Sequence, residues 1–157
     1  MPVFPSTVNT DCLELLHNTE FKLKELADSL KIEGISDAFF AQTVAPLTVY
    51  LNSLEKDDRP LFICFTGGQG SGKTTLSEFV QLALQVGYDR KTVGFSIDDI
   101  YKTREELERI AASVHPMCAV RGVPGTHDVG LGLETLESLC HAKEETLTAI
   151  PSFSKPL

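Results

Sequence analysis

The stretch Gly67-Gly68-Gln69-Gly70-Ser71-Gly72-Lys73-Thr74 has the spacing G-x-x-x-x-G-K-[ST]. Each residue type in it answers a physical need. Glycines let the backbone curl until successive N–H groups converge on anionic oxygens, and a helix starting there adds its positive end. A lysine at the seventh position reaches the β and γ phosphates of a nucleoside triphosphate, and the following hydroxyl suits Mg²⁺. A glycine-rich turn joining a strand to a helix is the plainer explanation, but the motif lies where phosphate binding needs it.

Two further groups of residues could act on a ligand. Asp98-Asp99 follows an apolar run, and a carboxylate there can take the proton of an attacking hydroxyl or hold Mg²⁺. As a structural feature, such a pair would serve as a turn or helix cap. Arg121, His127 and Asp128 share the glycine-rich segment RGVPGTHD. They offer a permanent cation, a titratable imidazole and a carboxylate acceptor for hydroxyl groups. His17, His115 and His141 have no metal-ligand spacing.

The elements that must position these groups can be read from periodicity. From Asp11 to Leu30, Cys12, Leu16, Leu23, Leu26 and Leu30 recur at helical spacing. A second helical pattern carries Phe40, Val44, Leu47, Leu51 and Leu54, with a break or kink expected near Ala45 because Pro46 lies inside it. The polar run Glu55 to Pro60 reads as a connector. LFICF, 61–65, reads as a strand buried on both faces, and TVGFSI, 92–97, as a second strand. Between them a helix is expected from Lys73 to Val86, its inward stripe Leu76, Phe79, Val80, Ala83 and Leu84, closed by Gly87. That order makes a βα unit with parallel pairing. Thr103 and Glu106 have capping-box spacing and open a helix to about Val114, stopped by Pro116. A last helix is expected at 133–141 and a short third strand at 147–150. In an open parallel sheet, ligands lie beyond the C-terminal strand ends, which would bring Asp98 to the cleft.

Bulk composition narrows the classes of partner. The 157 residues, 42% hydrophobic and 23% charged, suffice for one ordinary domain. A formal charge of -8 opposes nucleic acid, whose binding rests on Lys and Arg. No run approaches the roughly 20 apolar residues of a membrane-spanning helix. The start MPVFPSTVNTDCLELL lacks a secretory pattern, and the four cysteines, Cys12, Cys64, Cys118 and Cys140, are spread apart. Reduced thiols and a cytoplasmic protein are expected.

GGQGSGKTTL, SIDDIYKTREEL, HPMCAVRGVPGTHDVGLGLETLESL and IPSFSKP occur in this order, and together they resemble the successive motifs of the D-glycerate 3-kinase-like family of P-loop kinases. The resemblance runs from about Pro60 to Lys155, and its RG-x-x-G-[ST]-HD signature is the specific part. It implies an α/β fold, a P-loop NTPase-type parallel sheet flanked by helices. In it 1–59 form an N-terminal helical segment packing on the kinase core, and 60–157 the N-terminal part of the kinase domain. It also implies an ATP-dependent kinase that phosphorylates a hydroxyl of a small metabolite, D-glycerate first. A related kinase of a nucleoside, pantothenate or a sugar phosphate and a non-catalytic ATP-binding remnant are the alternatives.

Residue by residue, the resemblance implies that Gly67, Gly68, Gln69, Gly70, Ser71, Gly72, Lys73, Thr74 and Thr75 bind ATP, with Thr74 and Asp98 toward Mg²⁺. Lys73 and Asp98 would be catalytic; Asp99, Tyr101, Arg121, His127 and Asp128 would bind the acceptor. Arg121 is the natural partner for its carboxylate. The sequence departs from the family at Ile100, where an aromatic is usual, and at Phe153-Ser154-Lys155, which lacks the acid of an FDK-like segment. The chain stops two residues later, before the strands and lid expected from the family. A longer kinase, a split or decayed gene, and a homo-oligomer that covers the sheet edges are the three origins left open.

Overall fold

The computed structural model describes residues 8–54, 60–143 and 146–153. Most of the expected connector 55–60, the start of the chain and Ser154-Lys155 lie outside them. The chain divides into two compact units, Met1–Gly94 and Phe95–Leu157.

In the first unit, α1 spans Thr10–Ser29, opened by Asn9, whose side chain accepts the Cys12 N–H at 2.9 Å. It buries Cys12, Leu15, Thr19, Leu23 and Ala27. The expected Leu16 and Leu26 flank this stripe half-buried, and Leu30 lies exposed beyond the helix. Thr19 is tolerated inside because its hydroxyl donates to the Leu15 carbonyl at 2.7 Å. The next helical stretch runs through α2, Asp37–Phe39, a π-helical segment Phe40–Val44, and α3, Ala45–Ser53. The expected break near Ala45 is thus a change of winding. The Ala45 N–H reaches back five residues to the Phe40 carbonyl, just before Pro46, which has no N–H to offer.

The third helix of this bundle, α4, spans Lys73–Tyr88 and packs on α1 and α3. Phe79, Val80 and Ala83 are buried in a core with Leu23, Ala27, Phe40, Val44 and Leu51, and Leu76 and Leu84 pack against it, as the periodicity predicts. The Phe79 ring meets Phe40 edge-on at 5.2 Å. Gly87 does not close α4: Asp89, at φ 51°, is the left-handed cap, its N–H bonded to the Leu84 carbonyl. Gly87 instead leaves room for α1, since a Cβ there would run into Cδ1 of Leu15.

The expected parallel sheet is overturned. Among the described residues no strand is formed, and the single pairing is an isolated antiparallel bridge between Tyr101 and His127. Leu61, Phe62 and Ile63 are exposed rather than buried on both faces, as are Val93 and Ile97, and the expected strand at 147–150 is also unpaired. A strand exists only through hydrogen bonds to a neighbouring strand, and none of these runs meets one.

In the second unit a 3₁₀ turn, Ile97–Ile100, contains Asp98 and Asp99. α5, Arg104–Ser113, has the expected capping box with both arms made: Thr103 Oγ1 accepts the Glu106 N–H at 3.3 Å and Glu106 Oε2 accepts the Thr103 N–H at 2.8 Å. Pro116 opens a 3₁₀ turn, Pro116–Ala119, that packs on α5. α6, Val129–Cys140, begins four residues earlier than its apolar pattern suggested because Asp128 caps it, accepting the Leu131 N–H at 3.0 Å. Gly132 of α6 lets Ile100 close in; a Cβ there would stand 3.0 Å from Cδ1 of Ile100.

Candidate functional site

The segment Gly67–Thr74 leads into the N-terminus of α4. Gly70 and Gly72 have φ values of 72° and 78°, a region costly for other residues, and Gly72 is the cap residue. Its position matters because α4 has no side chain capping its N-terminus, whereas Asn9, Thr103 and Asp128 cap α1, α5 and α6. The first N–H groups of α4 are therefore not met by a capping side chain, the arrangement an anion needs. Ser71 N–H bonds to the Gly68 carbonyl at 3.3 Å, and Lys73 Nζ donates to the same carbonyl at 2.6 Å. The lysine is thus folded back along its own loop. Gly67 is tight: a Cβ would stand 3.0 Å from Ser71 Oγ. Gly68, Gln69 and Thr74 are exposed, and Thr75 is half-buried.

In the second unit the RGVPGTHD segment folds against the residues after Asp98. Lys102 N–H donates to the Thr126 carbonyl at 3.0 Å and Asp128 N–H to the Ile100 carbonyl at 2.6 Å, bracketing the Tyr101–His127 bridge. Those two bonds hold the Tyr101 and His127 rings stacked, 4.3 Å apart and 25° from parallel. The loop itself is closed by Thr126, buried, whose hydroxyl donates to the Val123 carbonyl at 2.6 Å, while Gly122 and Gly125 take φ near 90°. The threonine of the signature is therefore a structural latch.

Arg121 lies over the Phe153 ring at 4.8 Å and over Tyr101 at 5.9 Å, and it makes no ion pair with the described residues. Tyr101 hydrogen-bonds to Asp98. Burial, first, and the Asp98 carboxylate, second, push its phenol above the usual range, against a smaller opposite pull from Arg121. The phenol stays protonated at neutral pH and can act as the donor. Asp99 is occupied differently: Oδ2 accepts the Ser96 N–H at 2.7 Å and Oδ1 the Phe153 N–H at 3.0 Å.

Asp98, Tyr101, Arg121 and His127 are thus brought together in one unit, with Asp99 and Asp128 holding its backbone. Phe153 is the member that residue types and spacing did not single out. Its signal was the aromatic at the head of the FDK-like segment. No group of three or more His, Cys, Asp or Glu side chains could hold a metal among the described residues. The four cysteines are free thiols, Cys12 and Cys118 buried, Cys64 and Cys140 exposed. No described helix is long and apolar enough to cross a membrane.

Comparison with known proteins finds kinases among the relatives of this chain. The chain is 35% identical over 103 residues to the probable ATP-dependent kinase TDA10 of Saccharomyces cerevisiae, covering 61% of this chain and 36% of that one. It is 33% identical over 111 residues to the uncharacterized kinase mug58 of Schizosaccharomyces pombe, covering 67% and 39%. The chloroplastic D-glycerate 3-kinase of Arabidopsis thaliana is 35% identical over 103 residues, covering 63% and 22%. The resemblance drawn from the motifs is borne out: the chain is a relative of the D-glycerate 3-kinase-like kinases. It spans between about a fifth and two fifths of the length of these relatives. No family model and no solved structure matches it.

Proposed function

We propose that the protein serves ATP-dependent transfer of a phosphoryl group to a hydroxyl of a small carboxylic acid, with D-glycerate the first candidate. The observation that carries this reading is Arg121, a cation with no carboxylate partner among the described residues, in one cluster with Asp98, Tyr101 and His127. A planar guanidinium fits the two oxygens of a carboxylate. Lys73, Gly67–Gly72 and the uncapped start of α4 suit the phosphates of ATP.

Asp98 would take the proton of the acceptor hydroxyl as its oxygen attacks the γ phosphorus. The bond from that phosphorus to the β–γ bridging oxygen breaks, leaving ADP, a phosphate ester and the proton on Asp98. Tyr101, donating to Asp98, keeps the carboxylate turned toward its task. His127 would hydrogen-bond a second acceptor hydroxyl. Lys73 would leave the Gly68 carbonyl to neutralise charge on the transferring group. Thr74, exposed in the first turn of α4, supplies a hard oxygen of the kind Mg²⁺ accepts. Bound with ATP, Mg²⁺ would screen the phosphate charge.

The test is release of ADP with D-glycerate, a nucleoside, pantothenate and a sugar phosphate offered in parallel. D-glycerate is expected to work best. In Asp98→Asn, turnover is expected to fall about 10²- to 10⁴-fold with Mg-ATP affinity retained. Turnover with another acceptor alone would sink the assignment, and ATP binding without turnover in either form would make the chain a nucleotide-binding module.

A further inference from the structure

We propose that Phe153 and Asp99 are positioning residues that set Arg121 for the acceptor's carboxylate, an inference that rests on the acceptor reading above. Asp99 lies 54 residues from Phe153 in the sequence, yet its carboxylate joins them. One oxygen holds the Ser96 N–H that starts the 3₁₀ turn of Asp98, and the other holds the Phe153 N–H. Both oxygens of Asp99 are thereby engaged by backbone donors. It acts as a clamp between the turn that carries Asp98 and the segment that carries Phe153.

The consequence is a floor for the cation. The half-buried Phe153 ring stands edge-on to Tyr101 at 5.8 Å and 75°, and Arg121 lies over both rings, nearer to Phe153. A guanidinium over a ring face keeps its N–H groups for a ligand while the ring quadrupole offsets the missing counter-ion. An arginine on an exposed glycine-rich loop would otherwise sample many rotamers. Phe153 narrows them, and the Asp99 clamp fixes Phe153.

The experiment uses the 157-residue chain labelled with ¹⁵N. Ring currents from Phe153 and Tyr101 displace the Arg121 Nε–Hε resonance, so Phe153→Leu and Asp99→Asn are each expected to move it back toward that of an exposed arginine. Titrated D-glycerate is expected to bind about 2- to 5-fold more weakly in Phe153→Leu, with Mg-ATP affinity unchanged and Phe153→Tyr restoring the loss. The conservative Tyr variant keeps the test valid should Leu disturb the fold. An Arg121 resonance unmoved in both Phe153→Leu and Asp99→Asn would overturn the proposal. If the unaltered chain takes up no D-glycerate while the resonance still moves, the acceptor reading fails and the positioning of Arg121 by Phe153 stands.

Discussion

Tyr101 is the residue at which the candidate acceptor cluster meets: it stacks on His127, touches Phe153 edge-on, underlies Arg121 and bonds to Asp98. Its titration therefore reports the cluster. Burial and the Asp98 carboxylate both favour the neutral phenol, so its contribution to stability is present below the ordinary phenol range and is lost as pH rises through the raised value. In a phenolate titration at alkaline pH, Tyr101 is expected to ionise later than an exposed tyrosine, and Asp98→Asn to bring it back down. An unchanged titration in that variant would mean that the carboxylate does not act on the ring. At this scale the sequence offered residue types and was silent about what each one touches. Asp98 and Asp99 are adjacent and chemically alike, yet one faces Tyr101 and the other clamps two backbone segments. Adjacent residues of a 3₁₀ turn point about 120° apart, and only the folded neighbourhood says what lies in each direction.

The helices are the scale at which sequence periodicity served best. The stripe of α4 is buried where its spacing predicts, and the capping box of α5 is made in both directions. Both signals are local, within one or two turns of chain. Gly87 shows the limit. A glycine near a helix end suggests a cap, but here α4 runs on to Tyr88 and Gly87 is the point of contact with Leu15 of α1. A contact between helices so far apart in sequence leaves no local trace. Gly87→Val is expected to destabilise the first unit by about 1–3 kcal/mol through overpacking, read from thermal or urea unfolding. Combined with Leu15→Ala, the two losses are expected to sum to less than their separate values, because the added methyls then enter space that Leu15 vacates. Additive losses in the double variant would contradict the close approach.

Taken as a whole, the molecule carries apolar runs that no neighbour covers among the described residues. Phe62 is 52% exposed, between Leu61 and Ile63, which are also exposed. Exposed runs of this composition favour self-association. Phe62→Lys is expected to raise the concentration at which light scattering still reports a monodisperse chain, with the helical content unchanged; an unaltered aggregation threshold would show that this run is not what associates. The chain by itself determined its G-x-x-x-x-G-K-T spacing, its helical stripes, the capping box of α5 and its kinship with kinases, because these depend on residues near one another in sequence. The tertiary structure decided that the apolar runs 61–65 and 92–97 form no sheet among the described residues, that Gly87 is a packing contact, and that Phe153 lies beneath Arg121. Strand pairing, close approach and a shared aromatic floor each need a partner distant in the chain, and a local pattern cannot say whether that partner arrives.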